Sequence, residues 1–111
     1  MKKVFVLLIG CMTAFFAVDA QSANEQLAEK IAKRMKDSLS LTQQQQSQIY
    51  TLNLELAQRK SVARQQTTQS DTLRMNIQKI ENSRDSLYKA ILNNEQYLLY
   101  RQKKRNLVNN N

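Results

Sequence analysis

The feature that most narrows the fold is a shortage of turn residues. The chain has no proline and one glycine in 111 residues. Tight β-turns use glycine for positive φ and proline to preset φ, so a fold of many short strands has little here to turn on. An all-α fold is expected, and the length allows one small domain.

The same inventory narrows the chemistry. There is no histidine and one cysteine. General acid–base catalysis most often uses histidine, and a structural zinc site needs about four Cys, His or carboxylate ligands. Met35 and Met75 are too few for a soft-metal site, and no serine has a plausible base beside it. Glu81 and Asp85 fall one helical turn apart among Lys79, Arg84 and Lys89, the pattern of solvated ion pairs. Neither enzyme activity nor a cofactor or metal is expected.

The first twenty residues read as a targeting segment. Lys2 and Lys3 precede an almost continuous apolar run from Val4 to Val18, and Val18-Asp19-Ala20 offers small residues at the two positions a signal peptidase reads. The run is too short for a typical membrane-spanning helix. Leu8-Ile9-Gly10-Cys11 also fits a bacterial lipoprotein box, so lipidation at Cys11 competes with cleavage after Ala20 and is the only route to membrane association that we expect. Removing residues 1–20 would leave 91 residues with 15 basic and eight acidic side chains. Leu, Ile, Val and Phe make up 19 of those 91, which predicts a thin core and makes a homodimer the expected remedy.

Residues 21–108 read as four helices, with 109–111 as a disordered tail. Leu27, Ile31, Met35 and Leu39 recur every fourth residue and place the first helix at about 23–39, behind a capping box at Ser22-Ala23-Asn24-Glu25. Thr42-Gln43-Gln44-Gln45 repeats the box and opens a second helix with Ile49, Leu52, Leu56 and Ala63 on its apolar face. Residues 65–70 are polar and rich in cap formers. They read as a turn capped by Thr68 or Ser70, making a long central hairpin, with one unbroken helix as the alternative. Leu73, Ile77, Ile80, Arg84, Leu87 and Ile91 then form a heptad row broken by Arg84, either hairpin packing or a dimer seam. Asn93-Asn94-Glu95-Gln96 opens the last helix.

Two short segments share one layout. Leu41-Thr42-Gln43-Gln44-Gln45 supplies an apolar anchor, a cap and a box-closing glutamine. Leu92-Asn93-Asn94-Glu95-Gln96 repeats it with asparagine, another good cap, in place of threonine. On these residues the chain resembles the LTxxQ-motif proteins, the Spy/CpxP-like periplasmic chaperones and envelope-stress proteins. The resemblance covers most of residues 21–108. It implies an antiparallel dimer shaped as a thin curved cradle, a periplasmic location, and unfolded client proteins held without ATP on a mixed basic and apolar surface. It also implies that Leu41, Thr42, Gln45, Leu92, Asn93 and Gln96 are structural turn elements. The histidine and cysteine of metal-sensing relatives are missing, so no metal role carries over.

Basic clusters lie on three of the four helices, and a basic helical chain invites a nucleic-acid reading. The targeting segment argues against it. The cations are either a solvated face, favourable near helix C-termini, or a surface that captures acidic or unfolded partners through its field. The candidate client-binding residues are Lys33, Arg34, Arg59, Lys60, Arg64, Tyr97, Tyr100, Arg101, Lys104 and Arg105. The expected function is that of an ATP-independent holdase. The alternative is a regulatory protein that docks on the periplasmic domain of an envelope sensor kinase.

Overall fold

In the computed structural model the backbone is described for residues 2–108 and the side chains for residues 21–108. Four helices account for nearly all of it: α1 (Lys2–Leu39), α2 (Gln43–Gln66), α3 (Ser70–Ile91) and α4 (Asn94–Leu107). No strand occurs among the described residues. The segment expected to target the chain, the expected alternative of lipidation at Cys11 and the expected tail at 109–111 fall outside the residues whose side chains are described. Helix α1 packs on α2 and α4, and α3 packs on the same two helices.

The α1–α2 contact rests on small residues. Ala28, Ile31, Ala32, Met35 and Leu39 are buried on α1, facing Ile49, Leu56, Ala57 and Ala63 of α2. Leu27, expected at the head of this stripe, is 44% exposed. A strict fourth-residue spacing advances about 40° beyond a full turn at each step, so a row of four such residues cannot stay in one interface. Alanine at 28 and 32 lets the helices approach closely enough for Asn53 Nδ2 to donate to the Ala28 carbonyl at 3.2 Å.

The aromatic content of the core comes from Tyr88 and Tyr100, both fully buried. Their rings meet edge to face, 5.0 Å between centroids, the arrangement that the ring quadrupoles favour. On α3 the buried residues are Arg84 and Tyr88. The expected heptad row, Leu73, Ile77, Ile80, Leu87 and Ile91, is only half-buried.

Each helix junction has its own closure. The residues 65–70 do break the chain into a hairpin, with Thr67, Thr68 and Gln69 outside either helix. The cap is neither Thr68 nor Ser70. Gln69 holds that position without a side-chain cap bond, and the Thr67 hydroxyl accepts from the Gln69 amide at 3.2 Å. The capping box expected at Ser22–Glu25 is likewise absent, because α1 passes through Ser22 unbroken. Glu25 instead accepts from Gln21 at 3.3 Å.

Helix α1 ends in a left-handed residue that is not glycine. Ser40 has φ 55°, and the Leu41 amide reaches back to the Lys36 carbonyl at 3.4 Å, the six-to-one bond of a Schellman closure. Leu41 is buried in the same cluster as Met35, which holds the turn from the apolar side. A residue with a Cβ is strained in this region. Ser40→Gly is therefore expected to raise stability by about 0.5–1 kcal/mol, read from the urea midpoint. A lower midpoint would mean that glycine's greater unfolded-state freedom outweighs the relief.

Candidate functional site

The two five-residue motifs meet in space. Leu41 and Leu92 are both buried, and each is followed by a complete capping box. The Gln45 amide donates to Thr42 Oγ1 at 3.1 Å, and the Thr42 amide donates to Gln45 Oε1 at 3.0 Å. In the second copy the Gln96 amide donates to Asn93 Oδ1 at 2.8 Å, and the Asn93 amide to Gln96 Oε1 at 3.0 Å.

The glutamine side chains then bond to each other. Gln45 Nε2 donates to Gln96 Oε1 at 2.7 Å, and Gln96 Nε2 donates to Gln45 Oε1 at 3.1 Å. Their remaining N–H groups cross over. Gln45 reaches the Ile91 carbonyl at 3.2 Å, at the end of α3, and Gln96 reaches the Leu39 carbonyl at 3.4 Å, at the end of α1. Each amide thus caps the start of its own helix and the end of a helix leading into the other motif. Helix ends leave such carbonyls without partners, so the pair settles four termini at once. We call this arrangement the glutamine clasp.

A second polar cluster sits where α2 and α3 cross. Arg84 is 3% exposed. Its Nη1 donates to Asn53 Oδ1 at 3.1 Å and to the Tyr88 hydroxyl at 2.8 Å. Its Nε and Nη2 hold both oxygens of Glu81, at 3.0 and 2.9 Å. The Tyr88 hydroxyl donates to Asn53 Oδ1, and Lys60 pairs with Glu81. Burial pushes the Glu81 carboxyl up, but the hydrogen bonds from Arg84 and Lys60 outweigh it and bring the group down from its ordinary 4.5 to about 2. Burial pushes the Tyr88 hydroxyl up to about 12 despite Arg84 beside it.

A third cluster forms around Asp85, which accepts from Tyr100 Oη at 2.8 Å, Arg101 at 2.7 Å and Lys104 at 2.9 Å. Partial burial opposes ionisation of Asp85, yet the bonds from Lys104 and Tyr100 hold its carboxyl below the usual range.

These clusters decide where the candidate client-binding residues stand. Arg101 and Lys104 are engaged by Asp85, Lys60 by Glu81 and Arg59 by Glu55. Tyr100 is fully buried and is a core residue, not a surface one. Tyr97 is half-buried, with Lys89 Nζ 5.8 Å from its ring centroid. Lys33 and Arg105 are exposed and Arg34 is half-buried. Arg64 is exposed, and its side chain makes no hydrogen bond or ion pair with the described residues.

Two grooves open between α2 and α3. One, about 480 Å³, is lined by Thr51, Leu52, Leu87, Ala90 and Ile91. The other, about 570 Å³ and nearer the hairpin tip, combines Val62, Ala63 and Ile80 with Arg59, Lys79 and Glu55. The half-buried heptad row of α3 supplies an apolar wall to both. Lys79 was not among the candidates from sequence, since no local pattern sets it apart from any other lysine on a polar face.

Glu81 and Asp85 both titrate below their ordinary values, and Glu81 is the more strongly shifted of the two. Its carboxyl titrates lower in the folded chain than its ordinary value, so its contribution is complete above about pH 5 and is lost as pH falls toward 2. Thermal unfolding followed from pH 7 to pH 2 is expected to show that decline. Glu81→Gln is expected to cost about 2–3 kcal/mol at pH 7 and to flatten the acid limb. An unchanged limb would assign it to other carboxylates.

No family model, curated protein or solved structure matches this chain.

Proposed function

We propose that this chain is an ATP-independent periplasmic holdase that binds unfolded segments along the α2–α3 face, acting as a homodimer. The observation that carries the reading is the apolar row of α3 left half-exposed in grooves with cations at one end. Leu52, Leu87 and Ile91 offer contacts to an apolar side chain, and Arg59 and Lys79 flank the neighbouring groove. An unfolded chain presents both apolar and charged groups, and such a surface receives them without demanding one sequence. Holding the unfolded form lowers its free concentration and delays aggregation by mass action. The net charge, +8 for the full chain and +7 without residues 1–20, adds long-range attraction for acidic segments, which salt weakens.

The resemblance to the LTxxQ-motif proteins supports the same reading through its twin motifs, and the targeting segment supports the location. Among the described residues no helix is long and apolar enough to cross a membrane.

The test is aggregation of a chemically denatured protein, followed by light scattering with the purified chain and no nucleotide. Suppression is expected near stoichiometric ratios, weaker at high salt, and reduced severalfold by Leu87→Gln. A folded helical sample that suppresses nothing at any ratio would sink the holdase reading. It would leave docking on an envelope sensor domain, which a pull-down against that domain examines directly.

A further inference from the structure

A cavity of about 260 Å³ lies where all four helices converge, away from the two α2–α3 grooves. One wall is apolar, from Leu27 on α1 and Val108 at the end of α4. The other carries Lys60 and Arg64 of α2 with Glu81 and Arg84 of α3. The charges do not balance. Glu81 is shared by Arg84 and Lys60, which leaves an excess of two positive charges on the wall. Arg64 has no partner among the described residues. Arg84 spends four of its N–H groups on Glu81, Asn53 and Tyr88, from a guanidinium that has about five.

Arg64 is exposed, so its charge is solvated and available to an incoming anion, while the apolar wall beside Lys60 and Arg84 lowers the local dielectric and strengthens a pair formed there. Guanidinium and ammonium groups set around one space suit a carboxylate. Leu27 and Val108 add a place for hydrocarbon, and the exposure of Leu27 leaves that wall accessible. The volume is near the lower end for small-molecule sites, so the fitting ligand is short.

We propose that this cavity binds a carboxylate carried on a short apolar stem, held by Arg64 and Lys60 with the stem against Leu27 and Val108. Two sources share that chemistry: a free aliphatic acid, and the C-terminal carboxylate of a polypeptide that ends in an apolar residue. The site does not depend on the holdase reading, since its residues are separate from the groove residues.

The test is titration of the full chain, followed by amide chemical shifts and calorimetry, with hexanoate, N-acetyl-leucine, N-acetyl-leucinamide and hexanol. Hexanoate or N-acetyl-leucine is expected to bind saturably, with shifts confined to amides around the cavity. Tighter binding of hexanoate points to a free acid, and tighter binding of N-acetyl-leucine points to a chain terminus. Arg64→Gln is expected to weaken binding at least tenfold by loss of a charge-assisted pair, and Lys36→Gln, on an exposed residue away from the cavity, to leave it unchanged. The proposal is overturned if neither acid binds, if hexanol or the amide binds as well as its acid, or if Arg64→Gln binds like the parent chain.

Discussion

The fold depends on an amide-to-amide pair. Gln45 and Gln96 each use their side chains fully, with each oxygen taking a cap amide and the partner's N–H, and each nitrogen taking the partner's oxygen and a helix-end carbonyl. A buried amide with an unmet donor is costly, while a satisfied one sets geometry. Four helix termini are thereby fixed relative to one another at one end of the molecule. Leu41 and Leu92, buried beside the clasp, add the apolar weight that the polar bonds lack.

The rest of the structure extends from this fixed end with a sparse core. Large apolar residues are few, and the interior fills its remaining space with Tyr88, Tyr100, Asn53 and Arg84. Such a polar interior is stable only when every group is paired, and no buried side-chain nitrogen or oxygen among the described residues lacks a partner. The consequence for function follows from the same economy. Tyr88 and Arg84 take the interior face of α3, so Leu87, Ile91 and Ile80 fall to its flank and line the α2–α3 grooves. The exposed apolar surface results from placing polar residues inside.

How much of this was legible in the sequence depended on distance along the chain. The capping boxes at Thr42 and Asn93 were readable because each closes within four residues. The same local pattern at Ser22 misled, since whether a box caps anything depends on the helix upstream of it. The row Leu27-Ile31-Met35-Leu39 was readable as helix, but its drift around the helix axis carried Leu27 out of the core. Arg84 was visible as a break in a heptad row. Its reason was not, because Asn53 lies 31 residues away and Tyr88 one turn further along. Nothing local indicates that Gln45 and Gln96, 51 residues apart, are partners. The candidate surface suffered for the same reason: Tyr100, Arg101 and Lys104 all bond to Asp85, 15 or more residues away, and only the packing makes Tyr100 core and leaves Arg101 exposed.

The two motifs work as one unit through their glutamines. A double-mutant cycle on Gln45→Ala and Gln96→Ala, measured by urea unfolding, tests it most directly. A coupling energy of about 1–3 kcal/mol is expected, with the double variant little less stable than either single one. Additive losses within about 0.5 kcal/mol would contradict the clasp and leave two independent capping boxes.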